Sequence, residues 1–235
     1  MLWAASTLQP RSFAGDAQLA VTGLYPQLEV LGAEHIPACG PCLVTCNHYS
    51  RPGFGAWWIA LAISAAVASH RHPTADPEIH WVMTAAWTFP ESKWKAQVLT
   101  PATQWALNRL ARVYGFVTTP PMPPAPDEVE ARAAAVLRTI RLARRVVPQG
   151  GMVGLAPEGM NTPGKLAKPP QGAGVFIALL VEAGLPVLPV GVTEREGRLR
   201  LSFGQLFIPE IPPGRVERDL VVARQVMTSI AGQIT

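Results

Sequence analysis

The chain has 235 residues, 49% of them hydrophobic and only 15% charged, with a formal net charge of +4. That length favours a single domain around one sizeable core, and no stretch reads as a membrane span of roughly 20 apolar residues. The basic excess suits an anionic membrane surface or an anionic substrate; nucleic acid is disfavoured, because the arginines gather on one expected helix with no aromatic ladder among them.

Residues 1–26 form an N-terminal segment without the basic start and long apolar stretch of a secretory signal. One domain is expected over 27–235. Gln27 to Leu31 and Pro41 to Cys46 read as strands. Phe54 to Ser69 is the longest apolar run, and its small residues (Gly55, Ala56, Ala60, Ala62, Ala65, Ala66) suit a buried helix lying close on a sheet. Ile79 to Thr84 is a strand. Val98 to Val113 spaces Leu99, Ala102, Ala106, Leu110 and Val113 as a helix does, and Gly115 to Thr118 is a short strand. Pro120 to Pro126 is a loop. Val129 to Val147 is the strongest helical pattern, with Val129, Ala133, Val136, Leu137, Ile140, Ala143 and Val147 as its apolar stripe. Asp127 and Glu128 stand at its positive end. Met152 to Ala156 is a buried strand, Gly172 to Ala183 a helix closed by Gly184 and Pro186. Val187 to Val192 and Leu199 to Phe203 are strands, and a last helix runs from about Arg218 to Ala231. Strands alternating with helices predict an α/β fold, a mainly parallel central sheet flanked by helices.

Cys39, Cys42 and Cys46 cannot build a four-thiolate zinc site, and Cys42 and Cys46 flank a strand-like run rather than opening a helix, so they read as structural thiols of a reducing compartment. His70, His72 and His80 are scattered beside prolines and lack ligand spacing. No metal is expected.

Chemistry is expected at two strand ends: Asn47-His48-Tyr49-Ser50 and Ala156-Pro157-Glu158-Gly159-Met160-Asn161. Ligands of parallel sheets bind beyond the carboxyl ends of the strands, so both sets can face one cleft. His48 has the intrinsic pKa of a general base. Taken singly, each motif reads better as a plain structural turn.

Taken in order, they resemble a known family. "LEVLGAEHIPACGPCLVTCNHYS", "RVYGFVTT", "GLAPEGMN" and "LPVLPVGV" are similar to the four blocks of the glycerophospholipid acyltransferases, the type that includes 1-acylglycerol-3-phosphate acyltransferases. The resemblance spans about residues 27–205. It implies that His48 takes the proton of an acceptor hydroxyl, which attacks the thioester of acyl-CoA or acyl-carrier protein as co-substrate. It implies that Glu158 is catalytic beside His48 and with Gly159 shapes the acceptor site, that Asn47, Ser50 and Asn161 contact substrate, and that no cofactor is needed. The acceptor implied is a lysophospholipid or a glycerol-phosphate-like hydroxyl compound. Such acceptors lie in bilayers, which implies peripheral membrane contact, with Trp57, Trp58, Trp87 and Trp94 as candidates, in the cytoplasm or at the inner face of the cell membrane.

Three positions depart from the family pattern. Its His-x4-Asp spacing puts Gly53 where the Asp belongs. Asn161 replaces an arginine of the third block, and Thr118, Thr119, Pro120 and Pro121 stand where the second block ends in another. Arg51, Lys165 and Lys168 are the nearby cations that could meet an acceptor phosphate. Asp76, Glu78 and Glu158 are the carboxylates that could orient the His48 ring. Three readings result: a divergent O-acyltransferase with His48 as base, a degenerate homologue that binds lipid or acyl chains, or an unrelated α/β protein whose motifs are coincidental.

Overall fold

The computed structural model describes residues 9–24, 28–51, 54–121, 128–159 and 166–234. Gln27, Gly53, Asp127, Asn161, Lys165 and most of the Pro-rich loop lie outside the described residues. Contacts divide the chain into two units, Phe13–Ile79 with Leu142–Thr235, and Met1–Ser12 with His80–Arg141.

In the larger unit, strands β1 (Leu28–Leu31), β2 (Cys42–Cys46), β5 (Met152–Leu155), β6 (Val187–Arg195) and β7 (Arg198–Phe203) lie in the order β1-β7-β6-β2-β5. Strand β2 is parallel to β5 and β6, β7 folds back antiparallel on β6, and β1 is parallel to β7. All five residues of β2 are buried, and a strand covered on both faces needs such an unbroken apolar run. Helix α2 (Ala56–His70) is apolar all round and buried from Ile59 to Val67 except at Ala60, as its small residues predict. Its 15 residues reach only about 22 Å, short of a bilayer core, and no helix among the described residues is long and apolar enough to cross a membrane. Helices α5 (Ala173–Glu182) and α6 (Arg215–Ala231) complete this unit, Asp219 accepting the N–H groups of Gly172, Gly174 and Val175 at the start of α5.

Within the N-terminal segment, where no element was expected, helix α1 runs over Phe13–Leu24. Glu78 accepts the N–H of Phe13 and of Ala14 at 3.0 and 3.2 Å, satisfying two of the donors a helix leaves open at its start. Phe13, Ala14 and Ala17 are buried, and the Phe13 ring meets Trp57 edge-on.

At the starts of β2 and β5, the buried Arg71 guanidinium donates to the carbonyls of Pro37, Gly40 and Gly150 at 2.9–3.3 Å. The buried Cys42 and Cys46 thiols are pushed up to about 12, chiefly by desolvation; Arg71 partly opposes this at Cys42, and Glu158 adds to it at Cys46. They stay protonated and inert, as expected of structural thiols.

The smaller unit holds β3 (Ile79–Thr84) from His80 onward, the parallel strand β4 (Val117–Thr119) and helix α3 (Lys93–Tyr114). Helix α3 starts five residues before the expected Val98, and its buried side chains are Leu107, Ala111, Val113 and Tyr114; of these only Val113 was expected on its apolar stripe. Gly115 caps it at φ 68°, which moves the strand to Val117. Helix α4 (Val129–Val146) carries the chain back to the larger unit. Its buried residues are Ala135, Thr139, Leu142, Ala143 and Val146, while Val129 and Leu137 are exposed. The expected stripe on α4 is therefore shifted: of its members only Ala143 is buried, and Leu142 and Val146 face inward beside the small Ala135 and Thr139.

His70 closes α2 and bonds the Ala66 carbonyl, His72 bonds Thr74, and His80 lies on β3 against the Gly115 carbonyl. Only His72 is a loop residue, and among the described residues no group of three or more His, Cys, Asp or Glu could hold a metal ion.

Candidate active site

Thr45 pairs with Leu155 across β2 and β5. His48 and Glu158 therefore each stand three residues beyond one matched pair, at neighbouring strand ends. Thr45 also pairs with Pro189 on β6, which brings Val192 level with the same loop. Asn47 uses that level. Its amide donates to the Val192 carbonyl at 2.9 Å and accepts the Val192 N–H at 2.7 Å, copying a strand's backbone pairing one step past the end of β2. The side chain is 8% exposed, so both bonds are worth more than at the surface.

Beyond this clamp the chain turns out of the sheet at His48. Its backbone N–H donates to Glu158 Oε1 at 2.6 Å, and Glu158 Oε2 accepts the Ala167 N–H at 2.5 Å. Glu158 is only 2% exposed. A buried carboxylate needs such donors, and here they belong to two different segments, so Glu158 ties the His48 loop to the stretch that begins at Leu166. Gly159 follows at φ 69°, a backbone that side chains other than glycine's rarely adopt. The Nδ1 atom of His48 is shielded from solvent.

Tyr49 Oη and Arg51 Nε both donate to Glu194 Oε2, at 3.1 and 2.5 Å. The Arg51 guanidinium lies 5.3 Å from the centre of the Phe54 ring, and the backbones of Arg51 and Phe54 bond each other in both directions. Arg51 is thus drawn to Glu194. Ser50 is half-buried, and Lys168 is exposed.

These strand ends open on a cavity of about 500 Å³. Asn47, His48, Tyr49, Glu158, Thr193 and Glu194 supply its polar lining, and Leu166, Val192, Ala231 and Ile234 its apolar lining. The wall past α6 sits close on the sheet: a Cβ at Gly191 would lie 2.3 Å from the Gln233 carbonyl oxygen. His48 and Glu158 thus share one cleft, with Asn47 beside them. Ser50, Arg51, Gly159 and Lys168 are not among its lining residues. Asp76 and Glu78 are occupied elsewhere, Asp76 accepting the Glu78 N–H and Glu78 capping α1. Leu166, Thr193, Glu194, Ala231 and Ile234 are lining residues that sequence reasoning missed. The signal for Glu194 was its place just past Val192 on the strand of the fourth block.

A family model described as Acyltransferase matches residues 27–193, well over half of the chain. The chain belongs to the acyltransferase family. Among solved structures, this acyltransferase-family chain is similar to the crystal structure of the 1-acyl-sn-glycerophosphate (LPA) acyltransferase PlsC from Thermotoga maritima. The identity is 18%, the match covers 94% of this chain and 78% of that one, and the TM-score is 0.50. At that identity the likeness speaks to the fold, the mainly parallel α/β sheet with flanking helices that the sequence predicts. No curated protein matches the sequence significantly.

Three large apolar side chains on α3 are exposed: Trp94 at 60%, Val98 at 58% and Trp105 at 62%. Their spacing of four and seven residues places them on one face of the helix. Arg109 lies over the Trp105 ring at 4.9 Å. The helix carries Lys93, Lys95, Arg109 and Arg112 and no acidic residue. Of the four candidate tryptophans, Trp87 and Trp94 are exposed, whereas Trp57 and Trp58 are half-buried, Trp58 stacking on Phe54. Trp105 was not anticipated.

Proposed function

We propose that this family member is an O-acyltransferase that moves a fatty acyl group from a thioester donor, acyl-CoA or acyl-carrier protein, to a hydroxyl of a glycerolipid acceptor. The observation that carries the reading is the placement of His48: at a strand end, its backbone held by Glu158, on the lining of a 500 Å³ cavity. The imidazole takes the acceptor's hydroxyl proton while the oxygen attacks the thioester carbonyl. The tetrahedral intermediate then expels the thiolate, which leaves with the proton from the imidazolium. A positioned base of this kind supplies about 10²- to 10⁴-fold in rate. Glu158 takes no part in the proton transfer. Its two oxygens accept backbone N–H groups, so its role is to position His48.

The second reading, a homologue that only binds lipid or acyl chains, draws support from Gly53, which stands where the family pattern has the acid that stabilises imidazolium. One set of assays separates the two. Thiol release from acyl-CoA with lipid acceptors is measured for the wild type, His48→Ala and Gly53→Asp. The transferase reading expects wild-type turnover that His48→Ala abolishes and Gly53→Asp raises. Turnover that survives His48→Ala removes His48 from the mechanism; binding of acyl-CoA with no turnover in any variant favours the binder.

The exposed Trp94–Val98–Trp105 face, with four cations and no acid on its helix, supports peripheral docking on an anionic bilayer, such as the inner face of the cell membrane.

A further inference from the structure

The cavity has a polar side and an apolar side. Asn47, His48 and Glu158 stand just past the ends of β2 and β5, whereas Ala231 and Ile234 come from the end of α6 and the segment that follows it. Leu166 and Val192 complete the apolar lining. A few polar groups beside apolar walls orient a reacting group and shelter a hydrocarbon next to it.

Ile234 is half-buried, and the sheet holds it in place. The N–H groups of Gly232, Gln233 and Ile234 donate to the carbonyls of Thr228, Ile230 and Ala231 at 3.0–3.1 Å, so the chain keeps winding past the end of α6. Gln233 then fits a dent made by two glycines. Gly191 lies on β6 opposite Ser202, and the N–H of Gly204 donates to the Pro189 carbonyl at 2.9 Å. Gly191 and Gly204 therefore share one face of the sheet. A Cβ at Gly191 would lie 2.6 Å from the Gln233 Cβ, and one at Gly204 2.8 Å from the Gln233 Nε2, both closer than side chains pack. The next residue on β6 is Val192, which the Asn47 amide clamps. Ile234 and the His48 loop are thus referenced to the same strand, and the gap between them is set by the sheet.

Resting on the acyl-transfer reading, we propose that Ile234 determines specificity: its side chain meets the hydrocarbon chain of a substrate beside the reacting groups, and the volume at position 234 sets how long a chain the cavity accepts. That hydrocarbon belongs either to the acyl thioester or to the lipid acceptor. Each methylene that the wall shelters is worth about fourfold in binding.

Chain-length profiles of Ile234→Ala and Ile234→Trp test this, with thiol release as the readout. In one arm the donor is octanoyl-, dodecanoyl- or palmitoyl-CoA and the acceptor carries a hexadecyl chain. In the other the donor is dodecanoyl-CoA and the acceptor carries a decyl or a hexadecyl chain. The acceptors are 1-O-alkylglycerols and their 3-phosphates. In the arm whose chain meets residue 234, the ratio of kcat/KM for the longest chain to that for the shortest should rise about tenfold in Ile234→Ala and fall about tenfold in Ile234→Trp, the equivalent of about two methylenes. The arm that responds identifies the chain. Far-UV circular dichroism reports that both variants are folded. A purely structural role for Ile234 scales every rate alike, so ratios unchanged in both arms overturn the proposal and leave acyl transfer standing. A shift in the same direction for both variants also overturns it. If the wild type acylates none of these acceptors, the transferase reading fails and this proposal with it.

Discussion

Replacing Glu158 tests how the His48 loop is held. The carboxylate receives two charge-assisted bonds at 2.6 and 2.5 Å, each worth roughly 1.5–3 kcal/mol when its partner is removed. Glu158→Gln keeps one carbonyl oxygen, but its amide nitrogen then faces the other N–H, donor against donor. One bond is lost and the remaining one becomes neutral, for a cost of about 3 kcal/mol. Glu158→Ala loses both bonds, about 3–6 kcal/mol, a large share of the roughly 5–15 kcal/mol that holds a domain folded. Arg200 and Glu29 supply the contrast. Their ion pair lies at 2.9 Å with both side chains partly exposed, so Arg200→Ala should cost no more than about 1 kcal/mol. Urea unfolding reads these differences as a midpoint shift of about 1 M or more for the Gln variant, at a slope near 2–3 kcal/mol per M. Acyl transfer should fall in kcat more than KM changes, because both oxygens of Glu158 accept backbone N–H groups and the substitution displaces the His48 loop. A Gln variant within about 0.5 kcal/mol of wild type would refute the bridge between the His48 loop and Ala167.

Asn47→Ala removes both bonds to Val192 and leaves a buried N–H and C=O unpaired. It should cost about 2–3 kcal/mol by urea unfolding and depress kcat; unchanged turnover would mean that the clamp does not position His48. A thiol reagent should label Cys39, the exposed cysteine, at once in the native protein, and Cys42 and Cys46 only on unfolding. Both buried thiols have folded pKa values near 12 against an ordinary value of 9.0. Their contribution is complete below pH 9 and is lost as pH rises towards 12, because the unfolded chain ionises first, at up to about 1.4 kcal/mol per pH unit per thiol. Unfolding free energies at pH 8, 10 and 11 would show the fall, and a Cys42→Ala/Cys46→Ala variant should flatten it. Trp94→Ser/Trp105→Ser should weaken sedimentation with anionic vesicles about tenfold or more at low salt; equal sedimentation would rule out this face as the docking surface.

The elements whose burial is complete were the easiest to read from sequence. Strand β2 is buried throughout, β5 and the first six residues of β6 are apolar runs, and α2 is apolar on every side. Asn47, His48 and Glu158 were legible because polar residues directly after such runs must lie at strand ends. Helix α1 was missed because its inward face is mostly alanine, which gives little hydrophobic contrast. The face of α4 was misjudged for the same cause: Ala135 and Thr139 are buried while the larger Leu137 is exposed. Glu194 was passed over because it falls two residues beyond the expected strand end at Val192, where a glutamate usually meets water, although β6 runs on to Arg195. Its place in the cavity comes from the pairing of β6 with β2, which brings it to Tyr49, 145 residues earlier in the chain.

Arg71 sits at the opposite ends of the strands that deliver His48 and Glu158. Gathering carbonyls from the segments that precede β2 and β5, it acts as a datum from which both strands are measured. The five residues of β2 carry that datum about 17 Å to the cavity, and an angular error at the start grows with distance. A lysine there would offer a point charge on a pliable stem in place of a planar fork. The precision of the His48 loop is therefore set partly by a residue that never meets substrate, and wear at residue 71 would be felt as misalignment at the far end of the sheet.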